Sequence, residues 1–146
     1  MVCVLDEAHL LEKETLEEFR FPLNYKFDSI SPMAVVLVAQ TELWENKLKL
    51  QKYSAIRQRI DIYFTLPHLD HAETEKYIAS HMSYAGCSQS VFTDKALDEV
   101  YRVSTGIPRM INRICEKALM YAFQKQTRLV DDYMVRYVTE HELING

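Results

Sequence analysis

The hydrophobic pattern of this 146-residue chain changes period at Pro67, and that change constrains the fold more than any other feature. Before Pro67 the apolar residues fall in short, β-branched runs. Val2 to Leu5 (VCVL) and Ala34 to Ala39 (AVVLVA) are continuously apolar, as parallel strands covered on both faces are. Between them Leu10, Leu11, Leu16 and Phe19 recur at helical spacing until Pro22 interrupts the hydrogen-bond ladder. A β-α-β unit with two parallel neighbouring strands is the expected result. DSISP, residues 28–32, is the turn feeding the second strand. A helix is expected from about Glu42 to Lys52, and IDIYFTL, from Ile60 to Leu66, alternates as a third strand.

After Pro67 the period is that of a helix. Asp70 is placed to cap a helix whose shared face is Thr74, Tyr77, Ile78, His81, Met82 and Ala85, with Gly86 at its end. Thr93 caps a second helix with Ala96, Leu97, Val100 and Val103 inward, ending near Gly106. Pro108 opens a third, with Ile111, Ile114, Cys115, Ala118, Leu119 and Ala122 inward, and Asp131 caps a fourth with Met134, Val135 and Val138 inward. Short connections make these four helices a small bundle. The chain therefore reads as an α/β part at 1–66, with about three strands, followed by an all-α part at 67–146.

Composition excludes several classes of protein. A chain that is 48% hydrophobic and 26% charged is long enough for one core or two small lobes, and is not a disordered composition. No apolar run approaches the roughly 20 residues of a membrane helix and no leader pattern opens the chain, so a cytoplasmic protein without a membrane segment is expected. Cys3, Cys87 and Cys115 are odd in number and set in apolar surroundings, as reduced core cysteines are. The five histidines show no metal-ligand spacing, and Tyr121, Tyr133 and Tyr137 read as bundle aromatics. A net charge of −4 argues against a generally basic nucleic-acid binder, leaving a loose positive stripe of Arg102, Arg113, Lys117, Lys125 and Arg128.

Four stretches carry residues that a bare fold does not require. Asp6 and Glu7 follow the first apolar run, at the carboxyl edge where open α/β sheets bind ligands. One carboxylate suits a hydrated magnesium ion and the other the polarisation of a water; an ordinary acidic helix start is the competing account. Gln40 follows the second run and reaches the same edge if the strands are neighbours, either to orient a water or simply to leave the sheet. Arg57 and Arg59 stand just ahead of the third expected strand, fitted to phosphoryl oxygens or to surface ion pairs with Asp61 or Glu45. Arg109 lies in the first turn of its helix, where the helix dipole disfavours a cation unless an anion is held there.

The order of these stretches is more specific than any one of them. VLDEAHLL, VLVAQTEL, IRQRID and STGIPRMINRIC, in that order, resemble the AAA+ ATPases, and more closely the branch of general secretion pathway protein A-type ATPases and related ATPases of transposition systems. The resemblance spans nearly the whole chain. It implies a partial parallel P-loop sheet followed by a four-helix lid, with ATP and magnesium as ligands. Asp6 would be the Walker B aspartate associated with magnesium and Glu7 the catalytic glutamate. Gln40 matches the sensor 1 position, Arg59 or else Arg57 the arginine finger acting on a neighbouring subunit's ATP, and Arg109 the sensor 2 arginine of the lid.

One departure accompanies the match. The Gly-rich loop ending Lys-Ser or Lys-Thr that cradles phosphates in this family does not occur among these 146 residues, whose glycines are Gly86, Gly106 and Gly146. The chain is thus expected to be the C-terminal portion of an ATPase that assembles a partner complex of the secretion or transposition kind, and to be inactive alone. Its expected partners are copies of itself, a protein of that complex and, in the transposition case, DNA. An apolar strand left with an open edge would invite intermolecular pairing and a dimer. A noncatalytic oligomerisation or interaction module, in which the same charged residues form structural ion pairs, is the alternative.

Overall fold

A computed structural model describes residues 1–18, 33–87 and 89–143. Two compact units divide the chain, residues 1–65 and 66–146. In the first, β1 (Val2–Leu5) and β2 (Ala34–Leu37) pair in parallel, Val2 opposite Ala34 and Leu5 opposite Leu37. The two apolar runs are parallel neighbours, as their β-branched composition predicts. Between them the described helical structure is a 3-10 turn at Ala8–Leu10 and the short helix α1 (Lys13–Glu18). Phe19 and Pro22 of the expected helix, and the DSISP turn, lie outside the described residues.

Alternation decides which face of this sheet is covered. Cys3, Leu5, Val35 and Leu37 are half-buried, whereas Val2 is 65% exposed, Val4 59% and Val36 44%. Coverage of both faces, expected from the continuous apolar runs, is therefore not found. The covered side lies with a core of Ala8, Leu16, Leu43, Leu48, Tyr53 and Ile56, against which Leu11, Leu37, Trp44 and Ile60 pack.

Two further expectations are corrected in this unit. The helix expected over Glu42 to Lys52 is instead a π-helix at Leu43–Leu48, a 3-10 turn at Gln51–Tyr53 and a single α-turn, α2 (Ser54–Arg57). Burying Leu43, Leu48, Tyr53 and Ile56 on one core requires spacings of five, five and three residues, which one regular α-helix does not supply. The third strand, Ile60 to Leu66, does not form, and the sheet among the described residues has two strands rather than three. A strand exists only through a neighbour's N–H and C=O groups, and no backbone hydrogen bond joins residues 61–68 to the described residues. Ile62 and Phe64 are accordingly 86% and 74% exposed, while Tyr63 stacks on Trp44 at 4.3 Å between ring centroids.

The second unit follows its sequence pattern closely. Its helices are α3 (His71–Tyr84), α4 (Asp94–Ser104), α5 (Pro108–Gln124) and α6 (Asp132–His141). Each expected cap is in place. Asp70 accepts from the Glu73 amide at 2.8 Å while the Glu73 carboxylate accepts from the Asp70 amide at 2.9 Å, a reciprocal capping box. Thr93 and Asp131 accept from the Ala96 and Met134 amides, and Pro108 occupies the first turn of α5. Ile78, Ala96, Val100, Ile111, Ile114, Ala118, Ala122, Val135 and Val138 form the core with Phe92, Val130 and Leu143. His81 and Ala85, expected on the inner face of the first of these helices, are exposed, since α3 turns only Thr74 and Ile78 fully inward.

One backbone approach fixes how α3 and α5 begin. Thr105 and Gly106 both take positive φ, 49° and 75°, and the Leu69 amide donates to the Gly106 carbonyl at 3.0 Å. A Cβ on Gly106 would lie 1.8 Å from the Leu69 oxygen. Only glycine fits this position, because it must meet another backbone while in the left-handed region. Two residues later α5 starts, and with it the turn that carries Arg109.

Candidate functional site

The carboxyl edge of the two-stranded sheet brings together Asp6, Glu7 and Gln40. Parallel pairing continues past the strands, the Val38 amide donating to the Leu5 carbonyl at 2.8 Å and the Ala8 amide to the Val38 carbonyl at 2.9 Å. Asp6–Glu7 and Ala39–Gln40 therefore leave adjacent strands at the same end, and all four are exposed. Ala8, fully buried, anchors the turn from below.

Glu7 holds an unusual backbone. Its φ of 52° and ψ of 33° lie in the left-handed region, where a residue with a Cβ costs about 1–2 kcal/mol. The strain is held by neighbours on both sides: the Glu7 amide donates to Asp6 Oδ1 at 2.8 Å and its carbonyl accepts from the Leu10 amide at 2.9 Å. The result projects a side chain that is 61% exposed, with Glu7 Oε2 3.4 Å from His9 Nε2. His9 itself is nearly enclosed, and its Nδ1 is buried without a partner among the described residues.

Lys47, a residue without any motif to mark it, braces the same turn. From within the π-helix its ammonium donates to the carbonyls of His9 and, at 3.1 Å, Leu11. Nothing in sequence points to Lys47. His9 had one available signal, its place two residues after Glu7.

The arginines are placed differently. Arg57 Nη1 donates to the carbonyls of Leu48 at 2.9 Å and Lys49 at 3.0 Å, at the C-terminal end of the π-helix. Arg59 Nη1 donates to the Ala55 carbonyl at 3.2 Å. Arg109 lies in the second unit, exposed, with no hydrogen bond or ion pair among the described residues. Of the loose basic stripe, Arg102 forks onto Glu99 and holds that carboxyl below its ordinary range, Lys117 lies 3.5 Å from Glu142, and Lys125 sits over the Tyr121 ring.

The donor chemistry of the edge fits a hydrated magnesium ion. Asp6 accepts the Glu7 amide on Oδ1 and keeps Oδ2 open, and the exposed Glu7 carboxylate lies beside it, so one or two carboxylate contacts would be on offer to such an ion. That is the sparse carboxylate contact magnesium takes while it keeps its waters, the rest of its ligands coming from phosphate oxygens.

A partial P-loop fold with a helical lid is the AAA+ type of architecture, and among solved structures a point mutant of RuvB from Thermotoga maritima shares it. The match has a TM-score of 0.70 over 95% of this chain and 44% of that one; at 20% identity it speaks for the fold alone. In sequence the chain is similar to general secretion pathway protein A of Aeromonas hydrophila, with 38% identity over 124 residues, and the resemblance read from its motifs is thereby shown. That match takes in 85% of this chain and 22% of the relative, so the chain spans less than a quarter of that protein's length. No family model matches the chain.

Proposed function

We propose that this chain carries the water-activating edge and the lid of an AAA+ ATPase that couples ATP hydrolysis to assembly of a partner complex. The observation that carries the reading is the convergence of Asp6, Glu7 and Gln40 at one sheet edge, with Glu7 held in a left-handed conformation that presents its carboxylate outward. Of the three non-glycine residues with positive φ among the described residues, Glu7, Thr105 and Gln126, Glu7 is the one at the ligand edge of the sheet. In this reading Asp6 would hold magnesium through water, Glu7 takes the proton of the attacking water, and Gln40 orients that water. Magnesium, when bound, would neutralise charge on the phosphates. Residues 1–66 would then be the core portion and 67–146 the lid.

Arg59, or else Arg57, would contact ATP on a neighbouring subunit; Arg57 Nη1 donates to the Leu48 and Lys49 carbonyls and Arg59 Nη1 to the Ala55 carbonyl. Arg109, uncommitted in a first turn without an acidic residue, is suited to an anion at the lid. A role in secretion is favoured over one on DNA by the name of the Aeromonas relative and by the engagement of Arg102, Lys117 and Lys125 with other groups. No described helix is long and apolar enough to cross a membrane; a cytoplasmic, homo-oligomeric setting is part of the proposal. The noncatalytic alternative draws on the open apolar face of Val2, Val4 and Val36, which suits pairing with another protein.

Hydrolysis assays separate the two. The chain alone should bind ATP poorly and turn it over negligibly, since no Lys-Ser/Thr phosphate loop is present to supply charge-assisted hydrogen bonds. Joined behind such a loop, it should hydrolyse ATP, and Glu7→Gln should lower kcat by about 100- to 10,000-fold while ATP still binds. Turnover that survives Glu7→Gln would defeat the assignment. Absence of ATP binding in the joined protein would favour the noncatalytic module.

A further inference from the structure

We infer that the π-helix Leu43–Leu48 is a strut that couples the arginine segment at residues 57–59 to the Glu7 turn, so that movement of the arginines resets the acidic edge of the same subunit. The inference rests on the reading of Glu7 as the water-activating group and of Arg59 as the residue facing a neighbour.

Its basis is a chain of hydrogen bonds between segments far apart in sequence. The last carbonyls of any helix lack partners within it and must find donors elsewhere. Here Arg57 Nη1 supplies them, at 2.9 Å to Leu48 and 3.0 Å to Lys49. From the same π-helix Lys47 reaches 38 and 36 residues back in sequence, to the His9 and Leu11 carbonyls. Those two carbonyls stand two and four residues after Glu7, along the turn that closes on it: the Leu10 amide donates to the Glu7 carbonyl at 2.9 Å and the Leu11 amide to the Ala8 carbonyl at 3.2 Å. At its other end the strut begins at Gln40, whose carbonyl accepts from the Leu43 amide at 3.0 Å. Both polar ends of the sheet edge are thus tied to one short segment.

The form of that segment suits transmission. A π-helix is rare and is frequently met at functional sites. Six residues hold few internal hydrogen bonds, so the outside donor Arg57 helps to set where its last carbonyls lie, while its own Lys47 ties it to the His9 and Leu11 carbonyls. Leu43 and Leu48 are buried at its two ends, so the segment is seated on the core and shifts as a unit rather than fraying. Arg57 and Arg59 flank a single residue, Gln58, and Arg59 Nη1 is tied to Ala55 in the same turn, so a pull on Arg59 is felt at Arg57.

Amide hydrogen exchange on the whole chain, followed residue by residue by NMR, tests the coupling without nucleotide. Lys47→Met should speed exchange at Leu10 and Leu11 at least tenfold, with Lys49 and Leu50 little changed. Arg57→Met should speed Lys49 and Leu50 and, although no hydrogen bond joins Arg57 to the turn, Leu10 and Leu11 as well. The double variant should be no faster at Leu10 and Leu11 than Lys47→Met within a factor of two, because both changes break one connection. Arg57→Lys and Lys47→Arg, which keep a charged donor, should return the turn to within threefold of the parent, and they decide the matter if either methionine variant fails to fold. The Val38 amide, bonded to Leu5, is the internal reference. Acceleration confined to Lys49 and Leu50 in Arg57→Met overturns the inference, and so does equal acceleration at Val38, which would mean simple loss of stability. Coupling found in a chain whose loop-joined form lacks ATPase activity counts against the proposed function alone; turnover without coupling counts against the strut alone.

Discussion

Replacing Gly106 by alanine should damage the second unit far more than the same change at Gly86, although both glycines have positive φ, 75° and 85°. At Gly86 a new Cβ meets nothing within 4 Å, so the cost is the left-handed backbone alone, about 1–2 kcal/mol. At Gly106 the new Cβ would stand 1.8 Å from the Leu69 oxygen, about 1.5 Å or more inside ordinary contact. Leu69 is backbone here and cannot turn aside, so the segments must part and the 3.0 Å bond from the Leu69 amide to the Gly106 carbonyl is lost. Losing it in a buried setting adds about 1–3 kcal/mol to the same backbone cost of about 1–2 kcal/mol, which brings the total to about 2–5 kcal/mol. A unit of this size has only about 4–12 kcal/mol in all. Urea unfolding followed by circular dichroism at 222 nm reports chiefly on the four long helices and reads the difference directly. In thermal melts Gly86→Ala should lower the midpoint by about 4–16 °C and Gly106→Ala by about 8–40 °C. Equal losses at the two positions would refute the reasoning, for they would show that the Leu69 contact does not constrain the turn ahead of Arg109.

Two further outcomes follow from single residues. Burial pushes the Cys115 thiol from its ordinary 9.0 up to about 12. A raised folded value means stability that is complete below pH 9 and declines from there to about pH 12, as the unfolded chain sheds a proton the folded one keeps, by up to about 1.4 kcal/mol per pH unit. The difference in urea midpoint between the parent and Cys115→Ala should therefore shrink between pH 8.5 and 10; a constant difference counts against burial as the cause. Glu7→Gly should relieve the left-handed strain at φ 52° and stabilise the first unit by about 0.5–1 kcal/mol while removing the carboxylate. Trp44 fluorescence during melting follows that unit, and a lowered midpoint would show that Glu7 is not strained.

The helical unit was legible in the sequence because its signals are local. Asp70, Thr93, Asp131 and Pro108 mark helix starts through groups within three residues of themselves, and the inward faces repeat at a period the helix itself imposes. The pairing of β1 with β2 was legible for a related reason, two β-branched runs joined by a crossover. IDIYFTL misled because alternation states only that a segment can be a strand. Whether it becomes one depends on a neighbour, and no described residue is joined by a backbone hydrogen bond to residues 61–66 of it. Glu42 to Lys52 misled because helical propensity carries no sign of the one-residue shift needed to bury Leu43 and Leu48 together.

At the sheet edge, the order of residues was sufficient to place Asp6, Glu7 and Gln40 at the same end, since strand ends are fixed by where apolar runs stop. Sequence by itself thus determined the parallel pairing of β1 with β2, the starts of the four helices after Pro67 and the meeting of Asp6, Glu7 and Gln40 at one sheet edge. Only tertiary structure decided that Glu7 turns left-handed, that Lys47 braces its turn and that Arg57 spends its guanidinium on Leu48 and Lys49. These are contacts between long side chains and backbone carbonyls. Every residue has a carbonyl, so sequence carries no mark of which one a distant lysine or arginine will reach; packing of the core brings donor and acceptor within bonding distance.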